Sequence, residues 1–226
     1  MPPQPGPQTK LPWLVLLLAL SLPLLACRLL VNPTPAPGAT RPTGRVLFSD
    51  DFSDPYSGWN QVTAPGGESI YLDGAYRIFV NQPNVDIWSK PGKTFRDVRL
   101  EVDAYKVGGE RDNRFGLICR AVDDDSFYTF IVSSDGYYGI GLIDGQEYQL
   151  LGMDALQPSD AIHLGSASNH IRADCVGDTL TLTVNGVQLA QVKDTRFLSG
   201  DVGLIAGTYA TPGTDIRFDD FVVYQP

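Results

Sequence analysis

Histidine is almost missing from this chain: His163 and His170 are the only two in 226 residues. A zinc site built on several histidines has too few ligands, and no H-E-x-x-H string occurs. Strings of the G-x-S-x-G, P-loop and EF-hand kinds are absent too, so the common signatures of esterases, nucleotide-binding enzymes and calcium sensors are not here. Basic charge is scarce. Seventeen Lys and Arg stand against 26 Asp and Glu, a net charge of −9, which argues against a nucleic-acid partner. No apolar run reaches the roughly 20 residues of a membrane-spanning helix. Neither an internal repeat nor a helical amphipathic period is found. Cysteine is limited to Cys27, Cys119 and Cys175.

Turn-forming residues are plentiful, with 23 Gly and 17 Pro, and 43% of the chain is hydrophobic. Many short strands explain that balance better than helices do. The amino terminus has a different character. Residues 1–10 carry one charge, Lys10, and an apolar run follows from Leu11 to Ala26, interrupted by Pro12 and Pro23. A positive residue, an apolar core and a small residue before the cut describe a secretory signal. Its ending, Leu24-Leu25-Ala26-Cys27, resembles the lipobox of bacterial lipoproteins. That resemblance implies a signal peptide over residues 1–26 and a diacylglyceryl group on Cys27. The domain would then be held outside the cytoplasmic membrane by a lipid anchor. An uncleaved anchor with an incidental cysteine is the other reading, and it gives the same address.

Residues 28–45 are rich in Pro and Thr, and with Cys27 they form a tether (27–45) that could reach on the order of 50 Å. Its charges are Arg28, Arg41 and Arg45. Setting these and Lys10 aside leaves 13 basic residues against 26 acidic ones, so the domain from residue 46 to 226 is near −13. A basic tether suits an anionic lipid surface, and an acidic domain is held off it; three arginines that merely aid solubility are the plainer alternative.

Within 46–226 about fourteen short strand-like runs follow one another, separated by turn signals. Asp73-Gly74, Asp135-Gly136, Asp144-Gly145 and Asn185-Gly186 are the clearest of these; such pairs supply the positive φ of two-residue hairpins. Alternation sorts the faces. Val98, Leu100, Val102 and Ala104 point one way, and Arg99, Glu101, Asp103 and Tyr105 the other. Leu180, Leu182 and Val184 likewise oppose Thr179, Thr181 and Thr183. One buried and one wet face per strand predicts an all-β fold, a two-sheet antiparallel β-sandwich. Phe115, Leu117, Cys119 and Ala121 share one inward face by this count; Ile171, Ala173 and Cys175 share another. Two inward cysteines outside the cytoplasm invite a Cys119–Cys175 disulfide, with two buried free thiols as the alternative.

Three strings then bring a family into view. They are FGLICRAVDDDSFYTFIVSSDGYYGIG from Phe115, LFSDDFSDPYSGW from Leu47 to Trp59, and DIRFDDFVVYQ from Asp215 to Gln225. They resemble the concanavalin A-like, LamG-type jelly rolls, especially the bacterial extracellular group related to the 3-keto-disaccharide hydrolase domain. The resemblance implies a jelly roll whose first and last strands are neighbours, which would bring Asp50 and Asp51 near Asp219 and Asp220. It also makes calcium at the sandwich rim the candidate ion, held by those four aspartates or by the Asp123-Asp124-Asp125 turn. An aspartate run in a hairpin is equally ordinary turn chemistry. No other cofactor is implied.

Glu101 and Asp103 are the catalytic candidates. They share one face of a strand about 7 Å apart, the kind of spacing retaining glycosidases use. Laminarinase-type relatives carry E-x-D-x-E there; Tyr105 stands at the third position, so one catalytic glutamate is lacking. A solvated strand face is the plainer reading. For ligand binding, Arg114 and Arg120 alternate away from the core, and Arg172 and Asp174 do so on the strand of Cys175. Tyr128 and Phe130 are either aromatic platforms beside them or core. The combined reading is a membrane-anchored extracytoplasmic module recognising a glycan or cell-surface polymer without catalysis. A glycoside or 3-keto-disaccharide hydrolase is the first alternative, and a structural or protein-interaction module of the envelope the second.

Overall fold

A computed structural model describes residues 44–226, apart from Gln146. The signal segment, Cys27 and the tether up to residue 43 lie outside the described residues. Sixteen strands occur among the described residues and no helix: β1 (Val46–Asp50), β2 (Val62–Ala64), β3 (Gly67–Leu72), β4 (Ala75–Val80), β5 (Asp86–Ser89), β6 (Val98–Gly108), β7 (Asn113–Ala121), β8 (Ser126–Val132), β9 (Tyr137–Asp144), β10 (Glu147–Leu150), β11 (Gln157–Pro158), β12 (Asn169–Val176), β13 (Thr179–Val184), β14 (Val187–Lys193), β15 (Asp201–Thr208) and β16 (Thr214–Tyr224).

They form two antiparallel sheets packed as a β-sandwich jelly roll. The larger has nine strands in the order β14-β13-β12-β6-β16-β4-β3-β2, with β1 beside β16. The smaller has seven, β10-β9-β8-β7-β15-β5, with β11 beside β9. The predicted alternation is realised where it was plainest. Val98, Leu100, Val102 and Ala104 of β6 are at most 1% exposed and face Phe115, Leu117, Phe130 and Leu204 of the other sheet within one core. A Cys119–Cys175 disulfide joins β7 to β12 through that core. The first and last strands do pair, with Asp50 opposite Phe221.

The LFSDDFSDPYSGW string turns out to be a closing plug. Phe52 and Trp59 are 1% and 4% exposed and stack edge-to-face with ring centroids 5.4 Å apart. The Asp50 carboxylate accepts hydrogen bonds from the Trp59 indole N–H (2.9 Å), the Phe52 amide (2.8 Å) and the Ser57 hydroxyl. A buried carboxylate with three donors is satisfied, and its acidic character is spent on the fold.

One residue upsets the simple count along β7. Arg120 adopts φ +54°, and between β7 and β15 the pairing shifts by one residue, from Gly203↔Ile118 to Asp201↔Ala121. This is a β-bulge. Beyond it the strand's faces exchange, so Ala121 packs with Ile118, Phe127, Ile131 and Ile205 on the outside of the sheet. The expectation that Ala121 shares the inward face of Cys119 is corrected by that bulge.

Candidate functional site

The outer face of the seven-stranded sheet can be read row by row from its registers. One row runs Gly139, Ile131, Gly116, Ile205, Trp88, and the next Arg114, Gly207, Asp86. A third runs Gly141, Thr129, Ile118, Gly203. Five glycines thus occupy outward positions on these rows. Glycine inside a strand weakens it and leaves the backbone open to close approach. Here the freed space is used by polar side chains at Gly207 and Gly141, and by Leu150, Met153 and Leu156 at Gly139.

Gly207 shows why. A Cβ there would run into the Asp86 carboxylate and lie 2.9 Å from Arg114 Nε. Arg114 donates to Asp86 at 2.5 Å, and both side chains are only 19% exposed. The guanidinium also lies 4.6 Å from the centre of the Tyr209 ring. Burial works against the charge on Arg114, but the Asp86 carboxylate and Tyr209 more than offset it and raise its pKa. Tyr209 itself is pushed up by burial. The pair is fixed, oriented and partly exposed, which is how polar readers of a ligand are held.

Beside it lies an apolar floor of Ile118, Phe127, Ile131 and Ile205, partly roofed by Trp88, whose ring meets Phe127 edge-on at 5.3 Å. From the far edge Tyr148 reaches back over the sheet. As a residue it is 50% exposed, yet the hydroxyl end is the covered end, and that burial, with the Tyr209 phenol nearby, pushes its pKa up to about 12. Next to these groups an open groove of about 440 Å³ is lined by Asp112, Ser133, Asp135, Tyr137, Leu156 and Tyr209. Aromatic faces, a held arginine–carboxylate pair and hydroxyls converge on one surface, a chemistry suited to the C–H faces and hydroxyls of a sugar.

Of the residues singled out from sequence, only Arg114 stands on this face. Arg120 is 1% exposed, and its guanidinium donates to the Phe197 and Arg96 carbonyls (3.1 and 3.3 Å) and to Asp97 (3.3 Å). Its assignment to the open face is corrected by the same bulge. Tyr128 and Phe130 are 0% exposed core residues. The Tyr128 hydroxyl donates to Asp194 at 2.6 Å and accepts from the Phe197 amide. Their reading as platforms is corrected, and the alternative, core, is what is found. Arg172 and Asp174 are on the outer face of the other sheet, where Arg172 (2.7 Å) and Arg99 (2.9 Å) both bridge to Asp174. They do not join Arg114, because β7 and β12 belong to opposite sheets.

Glu101 and Asp103 also face outward from the nine-stranded sheet. His170 stands opposite Asp103 in the register. Its Nδ1 lies 2.8 Å from Asp103 and its Nε2 3.7 Å from Glu101. Hydrogen bonding to Asp103 and then Glu101 raises the imidazole to about 9. At neutral pH the two carboxylates therefore flank a cation.

The calcium candidates do not converge. Among the described residues no three Asp, Glu, His or Cys side chains are grouped so as to hold a metal ion. Asp124 pairs with Lys90 (2.9 Å), Lys90 also donates to the Asp123 carbonyl, and the Asp123 carboxylate caps the Asp125 amide. Asp50 is engaged with Trp59. Asp219 has its pKa raised by partial burial, with Asp220, Asp103 and Asp51 adding to it, so these carboxylates repel one another across the strand ends.

Asp86, Trp88, Thr129, Tyr148 and Tyr209 were missed from sequence. A signal existed: Gly139, Gly141, Gly203 and Gly207 recur two or four residues apart along single strands, marking a face where something lies close to the backbone.

No protein-family model matches the chain, and no curated protein matches it. Among solved structures, a carbohydrate-binding module of type CBM66 from Bacillus subtilis superposes with TM-score 0.60 at 15% identity, over 74% of this chain and 96% of that one. The catalytic domain of an endo-1,3-beta-glucanase (laminarinase) from Thermotoga petrophila gives 0.58 at 10% identity, over 80% and 98%. A protein of unknown function with a galectin-like fold from Bacillus subtilis gives 0.57 at 13%, over 80% and 96%. At these identities the likeness establishes the sandwich fold.

Proposed function

We propose that this protein is a lipid-anchored extracytoplasmic module that binds a glycan on the outer face of its seven-stranded sheet, without catalysis. One observation carries the reading: Arg114, Asp86 and Tyr209, from separate stretches of chain, meet above a glycine-paved surface beside Trp88. Nothing in the core requires that convergence. Two further points support it. The fold is shared with a carbohydrate-binding module, and the Glu101–Asp103 pair, the catalytic candidate, is occupied by His170. The acidic domain favours an uncharged polymer over an anionic one.

The anchor part of the reading rests on the Leu24–Cys27 string and is tested separately. Cys27→Ser loses a metabolic lipid label and accumulates with its signal uncleaved; normal processing of that variant removes the anchor. Binding is tested on a glycan array with the domain from residue 44 onward. Retention on neutral glycans that is lost in Arg114→Ala and Trp88→Ala supports the face. Binding unaffected by both variants places the ligand elsewhere. Hydrolysis of any bound glycan would replace the non-catalytic reading with the hydrolase one.

A further inference from the structure

Thr129 lies mid-strand in β8 on this outer face, is 1% exposed, and is the one buried hydroxyl without a hydrogen-bond partner among the described residues. The Tyr148 hydroxyl lies near enough to it to lower that phenol's pKa against the effect of burial, but not at a geometry that makes a hydrogen bond, so the fold gains little from that oxygen, and a valine of the same shape would avoid its desolvation cost. What hides it is Tyr148. A Cβ placed on Gly141 would meet Tyr148 Cε2 at 2.6 Å, the Tyr148 hydroxyl at 2.7 Å and Thr129 Oγ1 at 2.7 Å. The phenol therefore lies across Gly141 with its hydroxyl end toward the threonine.

The cover is hung from a weak support. β10 has four residues, sits at the sheet edge and pairs with β9 alone. A rotation about the Tyr148 side-chain bonds would lift the ring with the backbone ladder intact. It would uncover Gly141 and the Thr129 hydroxyl beside the Arg114, Asp86 and Tyr209 groups.

We propose that Gly141 and Thr129 form a concealed subsite of the glycan face, closed in the free protein by Tyr148 and opened when a neutral pyranose displaces the ring. The sugar lays its C–H face on Gly141 and shares a hydroxyl hydrogen bond with Thr129. A neutral sugar is favoured because Asp86, Asp112 and Asp135 border the area and the domain is strongly acidic. The inference rests on the glycan reading above.

The test uses laminarin and xylan oligosaccharides as probes, measured by calorimetry, together with thermal unfolding. Thr129→Val is expected to unfold at the same or higher temperature than the parent and to bind at least tenfold more weakly. Tyr148→Ala is expected to bind as tightly or more tightly, because the cost of opening is gone. A lowered unfolding temperature in Thr129→Val would show that the hydroxyl serves the fold and overturns the subsite. Unchanged affinity in Thr129→Val, while Arg114→Ala abolishes binding, overturns the subsite and leaves the glycan face standing. No binding by the parent or by Tyr148→Ala overturns both.

Discussion

Cys119 on β7 and Cys175 on β12 are bonded across the sandwich with their Cα atoms 6.9 Å apart. Each lies at a core-facing position of its own sheet, so the residues that alternate with them point to opposite surfaces. Arg114 looks out from the seven-stranded sheet; Arg172 looks out from the nine-stranded one. A bridge through the core and a shared outer face cannot both hold for the same two strands.

The bridge closes a loop of about 55 residues, worth on the order of 4 kcal/mol in the chain-entropy model. The double variant Cys119→Ala, Cys175→Ala is expected to lose about 2–4 kcal/mol in urea unfolding. Thiol titration of the denatured, unreduced domain from residue 44 onward is expected to find no reactive thiol.

Arg120 is a second lock at the same end of the core. Its guanidinium serves two carbonyls and Asp97 from a site that is 1% exposed. Arg120→Ala leaves those acceptors unmet and is expected to cost about 3 kcal/mol. Arg120→Lys is expected to recover little of it, because one ammonium cannot reproduce the planar fork. Denaturant unfolding of both variants checks this.

His170 makes stability pH-dependent. Its folded pKa of about 9 lies above the ordinary 6.5, so the folded state holds the proton more tightly. The contribution is complete below about pH 6.5 and is lost as pH rises through about 9. Because the side chain is 48% exposed, solvent screening limits it to on the order of 1 kcal/mol. An imidazole titration by NMR should give a midpoint near 9 that falls in Glu101→Gln, Asp103→Asn. Urea unfolding of His170→Gln should lose this part of the pH dependence.

Gly207→Ala tests the face without replacing a polar side chain. The added methyl enters the space of Asp86 and Arg114 and pushes that pair off the sheet. The expected result is a loss of about 1–2 kcal/mol in stability, the usual range for overpacking. Glycan affinity should fall as in Arg114→Ala, read on the same array.

The strands, the two-sheet sandwich and the inward placement of Cys119 and Cys175 follow from the sequence, while the adjacency of first and last strands was implied by the family resemblance. Alternation, turn pairs and chain order are local, and a pleat of period two carries them to the structure. Arg120 escaped because one positive φ adds a residue to the count and exchanges the faces beyond it, a change no hydrophobic pattern records. Tyr128 and Phe130 were left open because β8, from Ser126 to Val132, is buried on both sides, so alternation there has no polar side to read. The proposed binding face was decided only by tertiary structure. Asp86 and Trp88 lie on β5, which pairs with β15, more than a hundred residues away; Arg114 is on β7, Tyr148 on β10 and Tyr209 just beyond β15. Which outward residues become neighbours depends on strand order within the sheet, and strand order is set by long-range packing that leaves no periodic trace in the chain.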